Sequence, residues 1–383
     1  MKALKRIILV ISSMIILLAI TGNNHIYLGL YDTYLQGRTK PAVDDPDLFP
    51  SRTIKCGTPQ PWEKHTNYHS GAFSEKANKA NSDLSTLGFI VIKDDSLVFE
   101  KYLNGHCETA LSNSFSMAKS LLSVLVGCAI KEGKIKLTDQ VNTYLPEYIQ
   151  EKDSALQVVH LLNMTSGMNF DESYGNPFGF MAQAYYGSDL KSLLLGYELT
   201  TEPGTRWEYL GGNNLLLSLL LEKALGKNMS TYAQEKVWQP LGMEQDAKWI
   251  LDHEQGNEKT FSGLYATSRD FAKIGQLYMK YGNWKGKQVV DISYVQKSTS
   301  GVNVIDKHGN NTDNYGYAWW LVEHKDMDVF FMQGILGQYV LCIPEKDIII
   351  VRTGKRRMEK SNGVNPDDLF IWLEEGLRIA TQN

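Results

Sequence analysis

Cysteine is scarce in this chain: four residues among 383, at positions 56, 107, 128 and 342, with no C-x-x-C pair. A thiolate metal clamp or a paired redox motif is therefore not offered. Cys128 and Cys342 stand in apolar runs where a free buried thiol is ordinary. Cys56 and Cys107 could pair in an oxidising compartment, but nothing in their surroundings requires it. The eight histidines are dispersed, with no H-E-x-x-H and no close His/Asp/Glu group, which argues against a catalytic metal, and no cofactor motif appears. His160, inside an apolar stretch, reads as structural. G-x-S-x-G is missing, and with it the strand-turn-helix nucleophile elbow of α/β-hydrolases. The formal net charge is -4 and no long basic run occurs, so nucleic acid is not an expected partner. Internal repeats and low-complexity segments are absent too.

What is present is an ordinary globular composition, 43% hydrophobic and 21% charged, long enough for one large domain or two that share a core. Residues 1–22, MKALKRIILVISSMIILLAITG, carry Lys2, Lys5 and Arg6 ahead of an apolar run from Ile7 to Ile20. This reads as a signal peptide or N-terminal anchor. No clean small-x-small cleavage site and no following cysteine settle which, and either outcome places the rest of the chain in an extracytoplasmic space, periplasmic or secreted. Residues 23–85, rich in Asn, Asp, Pro, Tyr and Ser, read as an arm wrapped on the domain, with a short helix near 73–80.

The main domain is expected over 86–380. GFIVIK (88–93) and LVFEKY (97–102), separated by Asp94, Asp95 and Ser96, predict a hairpin. From 134 to about 300 the pattern is mostly helical, with helices near 154–163, 179–196, 213–225, 229–237 and 269–281. The period then changes: 315–322, 328–333, 337–343 and 346–354 read as consecutive strands, followed by a terminal helix within 365–380. The expected fold class is α+β, an antiparallel sheet built from both ends of the chain (88–102 and 315–354), with flanking helices and an inserted helical region. Trp319 and Trp320 read as sheet core and rim, facing opposite ways.

The chemistry centres on SNSFSMAKSLLSVLVGCAIKEG (112–133). Ser116 and Lys119 stand three apart at the start of an apolar helix, a spacing that sets their Cβ atoms about 5–6 Å apart on one face. A serine needs a neighbouring base to become a nucleophile, and a desolvated lysine can be that base. The helix start adds N–H groups and the positive dipole end where an acyl oxyanion would form.

With these residues in place the chain resembles the serine β-lactamase and penicillin-binding-protein superfamily, nearest its class C β-lactamase, esterase and 6-aminohexanoate-dimer hydrolase branch. SFSMAKS matches the nucleophile segment. PGTRWEYLGGNN (203–214) is similar to the family's P-G-T-x-x-x-Tyr segment, with Tyr209 at the catalytic tyrosine's place. Gly211 stands where the β-lactamases have an asparagine, and Asn213 looks like the hydrolase-branch variant. In MQGILGQ (332–338), Gly334 matches the glycine of the Lys-Thr-Gly or His-x-Gly triplet. The resemblance thus implies catalytic roles for Ser116, Lys119 and Tyr209 and an oxyanion hole from the backbone N–H groups of Ser116 and Ile335. The pocket candidates are Tyr174, Asn213, Gln333 and Gly334. Met332 and Gln333 replace the charged and hydroxyl residues that hold a penicillin carboxylate in the family.

The expected activity is that of a serine hydrolase acting through an acyl-enzyme on a small amide or ester. The alternatives are a β-lactamase or D-alanyl-D-alanine carboxypeptidase acting on penicillins or peptidoglycan, and a non-hydrolytic binding or sensor protein that keeps the fold. Oligomeric state has no signal in the sequence.

Overall fold

The computed structural model describes residues 2–69, 71–150, 153–361 and 364–382. Its centre is a seven-stranded sheet of β1 (Glu63–Lys64), β2 (Thr86–Lys93), β3 (Ser96–Tyr102), β4 (Trp320–His324), β5 (Met327–Gly334), β6 (Gln338–Ile343) and β7 (Ile348–Gly354). The spatial order is β4-β5-β6-β7-β2-β3-β1. Every pair is antiparallel except β1 with β3. The expected sheet from both ends of the chain is therefore the observed one. Asp94 and Asp95 both take left-handed φ values, 47° and 60°, which closes the β2–β3 hairpin in the primed geometry that suits strand twist. Lys325 and Asp326 do the same between β4 and β5.

Strand alternation divides the apolar residues between two cores. Ile90, Ile92, Met332, Val340, Ile349 and Val351 face a layer formed by α1 (Met117–Lys131), α2 (Gly211–Leu225) and α3 (Ser268–Met279). Phe89, Val91, Phe331, Tyr339 and Ile350 face Glu75–Asp83 and α4 (Asp367–Gln382), where Trp372 is fully buried.

Several boundaries differ from expectation for local reasons. The expected strand 315–322 begins only at Trp320, because Ala318 turns through a left-handed φ of 61° and its N–H bonds to Leu162 and Gly316. Trp319 is thereby buried and stacked on Tyr278 at 4.4 Å, while Trp320 points elsewhere. The helix expected over 179–196 breaks at Gly187 into Phe180–Tyr186 and Leu190–Leu194, the second capped by Asp189. That near 154–163 contracts to Val158–Leu162, where the His160 ring accepts the Gln157 N–H. The stretch read as helical also contributes strands Ala247–Ile250 and Leu264–Ala266, too short to show a period. They join Ser51–Ile54 and Ser112–Asn113 in a four-stranded sheet. All four cysteines are free thiols, so the pairing left open for Cys56 and Cys107 does not occur.

Candidate active site

Ser116 is delivered by that small sheet. Ser112–Asn113 pairs with Leu264–Ala266, and the Ser114 N–H continues the ladder to the Leu264 carbonyl at 2.7 Å. The Asn113 side chain, anchored on Tyr185 and Tyr265, accepts the Phe115 N–H at 2.9 Å. Phe115 is thus held at a φ of 44°, an unfavourable left-handed conformation for an aromatic residue, immediately before the serine. The chain turns there into α1, with Ser116 half-exposed at its N-cap and Met117 onward buried.

One helical turn on, Lys119 is 1% exposed and its ammonium donates to Ser116 Oγ at 3.1 Å and to the Phe261 carbonyl at 2.8 Å. No carboxylate forms an ion pair with it among the described residues. Burial lowers its pKa to about 8, against the opposing pull of the Glu172 charge. Lys119 Nζ also lies 5.0 Å from the centroid of the Tyr209 ring. The Tyr209 hydroxyl interacts with the Ser116 side chain, so the three residues form one connected group. Burial and then the Glu172 charge push the Tyr209 hydroxyl far above its ordinary pKa, against the Ser116 hydrogen bond and the Arg357 charge. The Tyr209 ring is fixed by Trp320 at 5.3 Å and by the edge of Tyr315 at 5.9 Å. Trp320, expected only as sheet rim, is a wall of this site.

The opposite wall is the end of β5. A Cβ on Gly334 would sit 2.3 Å from the Ser114 carbonyl, so only glycine lets the strand close on the segment that carries the serine. Ile335 follows directly. Among the described residues neither its N–H nor that of Ser116 donates to a backbone carbonyl.

Glu172, which no sequence signal singles out, acts on this group through its charge. It accepts the Gly211 N–H at 2.5 Å, at the start of α2, and the Tyr174 hydroxyl at 2.8 Å. Burial raises its pKa, while Lys119, the Gly211 N–H and the Tyr174 hydroxyl hold it down. Its loop, Met164–Tyr174, shows only turn residues in sequence, and no spacing there reports proximity to Lys119. Tyr174 stands at the mouth, its ring largely exposed and its hydroxyl turned in to Glu172.

The two amide candidates do not join this group. Asn213 is fully buried in the first turn of α2, where Oδ1 accepts from Ser166 at 2.7 Å and Nδ2 contacts Met164 Sδ at 3.5 Å. It braces the loop and has no surface to offer a substrate. Gln333 alternates to the face of its cross-strand partner Tyr339, and its Oε1 is buried without a partner among the described residues. Met332, on the α1 face, is completely buried. Among the described residues no group of three or more His, Cys, Asp or Glu side chains could hold a metal ion.

An antiparallel sheet assembled from both chain ends, covered by a helical layer whose first buried turn carries S-x-x-K, is the fold of the β-lactamase and penicillin-binding-protein superfamily of serine-type hydrolases. The chain belongs to the Beta-lactamase family, whose profile matches residues 75–367. It is 24% identical over 283 residues to the 6-aminohexanoate-dimer hydrolase of Paenarthrobacter ureafaciens, covering 70% of this chain and 72% of that one. Among solved structures, a putative 6-aminohexanoate-dimer hydrolase from Bacillus anthracis superposes with a TM-score of 0.74 at 21% identity, covering 87% of this chain and 91% of the other. A putative β-lactamase from Bacteroides dorei gives 0.65 at 18% identity, covering 81% and 100%.

Proposed function

We propose that this protein is a serine hydrolase that cleaves a small amide or ester with no required carboxylate, through an acyl-enzyme on Ser116. The observation that carries the reading is the 3.1 Å contact between a buried lysine, its pKa lowered to about 8, and a half-exposed serine at a helix start. With an amine pKa of about 8, roughly one lysine in ten is neutral at pH 7. The elevated Tyr209 pKa rules against a standing tyrosinate, so Lys119 is assigned as the base and Tyr209 as the acid.

In acylation the Ser116 proton passes to Lys119 Nζ as Oγ bonds to the substrate carbonyl carbon. The oxyanion develops against the N–H groups of Ser116 and Ile335. As the carbon–leaving-group bond breaks, Tyr209 gives its proton to the departing amine or alcohol and is reprotonated from the Lys119 ammonium. Water then attacks the acyl-enzyme, its proton taken by the same pair, and Ser116 recovers a proton as the acid leaves. The absence of a carboxylate requirement rests on Met332, buried and uncharged where the superfamily places its cation.

A second reading, hydrolysis of penicillins or peptidoglycan D-alanyl ends, is favoured by one observation. The Arg357 guanidinium acts on both Tyr209 and Tyr174 and forms no ion pair among the described residues, so it offers positive charge beside the mouth.

Intact-mass spectrometry after separate exposure to a fluorophosphonate, a short-chain p-nitrophenyl ester and a penicillin distinguishes the two. The preferred reading expects one covalent adduct from the first, turnover of the second and little reaction with the third. Ser116→Ala should abolish the adduct, and labelling that survives in this variant removes Ser116 from the mechanism. Rapid penicillin acylation transfers the assignment to the second reading.

A further inference from the structure

The segment that follows the apolar leader has its polarity inside out. His25–Asp32 is a surface helix, and its two buried residues are the polar ones at its ends. His25 meets the Pro177 carbonyl at 2.9 Å, and Asp32 lies 3.9 Å from Arg38 and interacts with Tyr186. Ile26 and Tyr27 are half-buried, but the remaining large apolar residues face outward: Leu28, Leu30 and Tyr31, then Tyr34 at 66% and Leu35 at 75% exposure in the turn that follows. A surface helix in water has the opposite arrangement. Phe178, 58% exposed, follows Pro177, so the loop that carries Glu172 and Tyr174 presents a further exposed apolar side chain beside its contact with the start of this helix.

What covers this face follows from where it stands. Lys2–Ile20 is a 19-residue apolar helix with no buried residue, and among the described residues it alone is long and apolar enough to cross a membrane. Only Thr21–Asn24 separate it from His25–Asp32, and that link is hydrogen-bonded, Asn23 N–H to Leu18 and Ile26 N–H to Asn23. Residues 25–36 therefore begin where such a span would leave the hydrocarbon, the depth at which tyrosine and leucine side chains are accommodated by the headgroup boundary.

We infer that the leader is retained as a span and that Leu30, Tyr31, Tyr34, Leu35 and Phe178 seat the domain on the phospholipid headgroup layer. Because Phe178 and Tyr174 belong to one loop, this docking holds the mouth of the Ser116 site against the leaflet. The inference stands apart from the acyl-transfer reading: the surface would dock whether or not Ser116 turns over.

The test uses the full chain in bilayer nanodiscs of phosphatidylethanolamine and phosphatidylglycerol, doped with a phospholipid carrying a diazirine near the headgroup. After irradiation, adducts are mapped by peptide mass spectrometry. Adducts are expected on peptides covering 25–36 and 174–178 as well as on 2–20. Adducts confined to 2–20, or a chain recovered with the leader removed, would overturn the inference. Tyr34→Glu with Leu35→Glu should cut labelling of 174–178 at least fivefold while 2–20 labels as before and the circular dichroism melt is unchanged. Tyr34→Trp with Leu35→Phe, which keeps the face apolar, should label like the parent. Equal labelling of 174–178 in the acidic variant, or a face shielded instead by a second copy of the chain, counts against it.

Discussion

At the scale of single residues, the proposed chemistry depends on how burial sets two proton affinities in opposite directions. Desolvation disfavours the charged form of each group, so it lowers the Lys119 amine and raises the Tyr209 phenol. Below about pH 8 the amine is mostly protonated and cannot accept from Ser116; above it the free base predominates. The acylation rate should therefore climb with pH through an inflection near 8 and level off about one unit above it, measured as kcat/KM for a p-nitrophenyl ester. Glu172 raises the Lys119 value, so Glu172→Gln should move that inflection to lower pH. An inflection that stays in place, or moves up, removes Glu172 from the electrostatics of the site. Lys119→Ala should slow acylation by about 10² to 10⁴-fold, the usual contribution of a positioned base, with little change in thermal midpoint. The i,i+3 spacing of Ser116 and Lys119 was legible in sequence because both lie in one helical turn. Glu172 was not, since its position depends on a loop meeting the start of a helix 39 residues further on.

At the scale of elements, the site is a meeting of α1, the end of β5 and the loop before Phe180–Tyr186. Gly334 determines how close the first two come. Gly334→Ala places a methyl group 2.3 Å from the Ser114 carbonyl oxygen, a backbone atom that cannot swing aside as a flexible side chain would. The strand end must move off, carrying the Ile335 N–H out of reach. The expected result is a loss of about 10² or more in kcat, the usual effect of removing one oxyanion donor. The stability loss should be modest, about 1–3 kcal/mol as for other overpacking changes. A variant with full activity would show that Ile335 is not a donor. The strands of the central sheet were readable from alternation and turn residues, as at Asp94 and Asp95. The short strands of the second sheet were not, because Leu264–Ala266 is defined by its partners and carries no pattern of its own.

For the molecule as a whole, the sheet and the helical layer are tied by a charge network as well as by apolar packing. Arg269, near the start of α3, binds Glu100 on β3 and reaches Glu244 at 3.1 Å. Burial would raise the Glu100 carboxyl, but Arg269, with Tyr68 and Tyr102, more than offsets it and holds the pKa below the ordinary glutamate value. Such a group stabilises the fold above the ordinary carboxylate range, and the contribution disappears as pH falls through its lowered value. Arg269→Ala leaves Glu100 buried and unpaired, so it should cost about 3–5 kcal/mol in urea unfolding at pH 7. The gap between parent and variant should shrink in acid, as the Glu100 carboxyl is protonated. A cost under about 1 kcal/mol, or a gap independent of pH, would show that the network contributes little.

The period of each long element, the hairpin turns, the serine and lysine on one helical face and the apolar leader are each written within a few neighbouring residues, and so can be read from the chain alone. That Asn213 braces a loop, that Trp320 walls the site, that the Glu172 charge acts on Lys119 and that the polar end residues of His25–Asp32 are buried appears only when the chain is folded. Those outcomes depend on which distant segments share a core, and burial, which sets both proton affinities and the exposed apolar face, exists only once they meet.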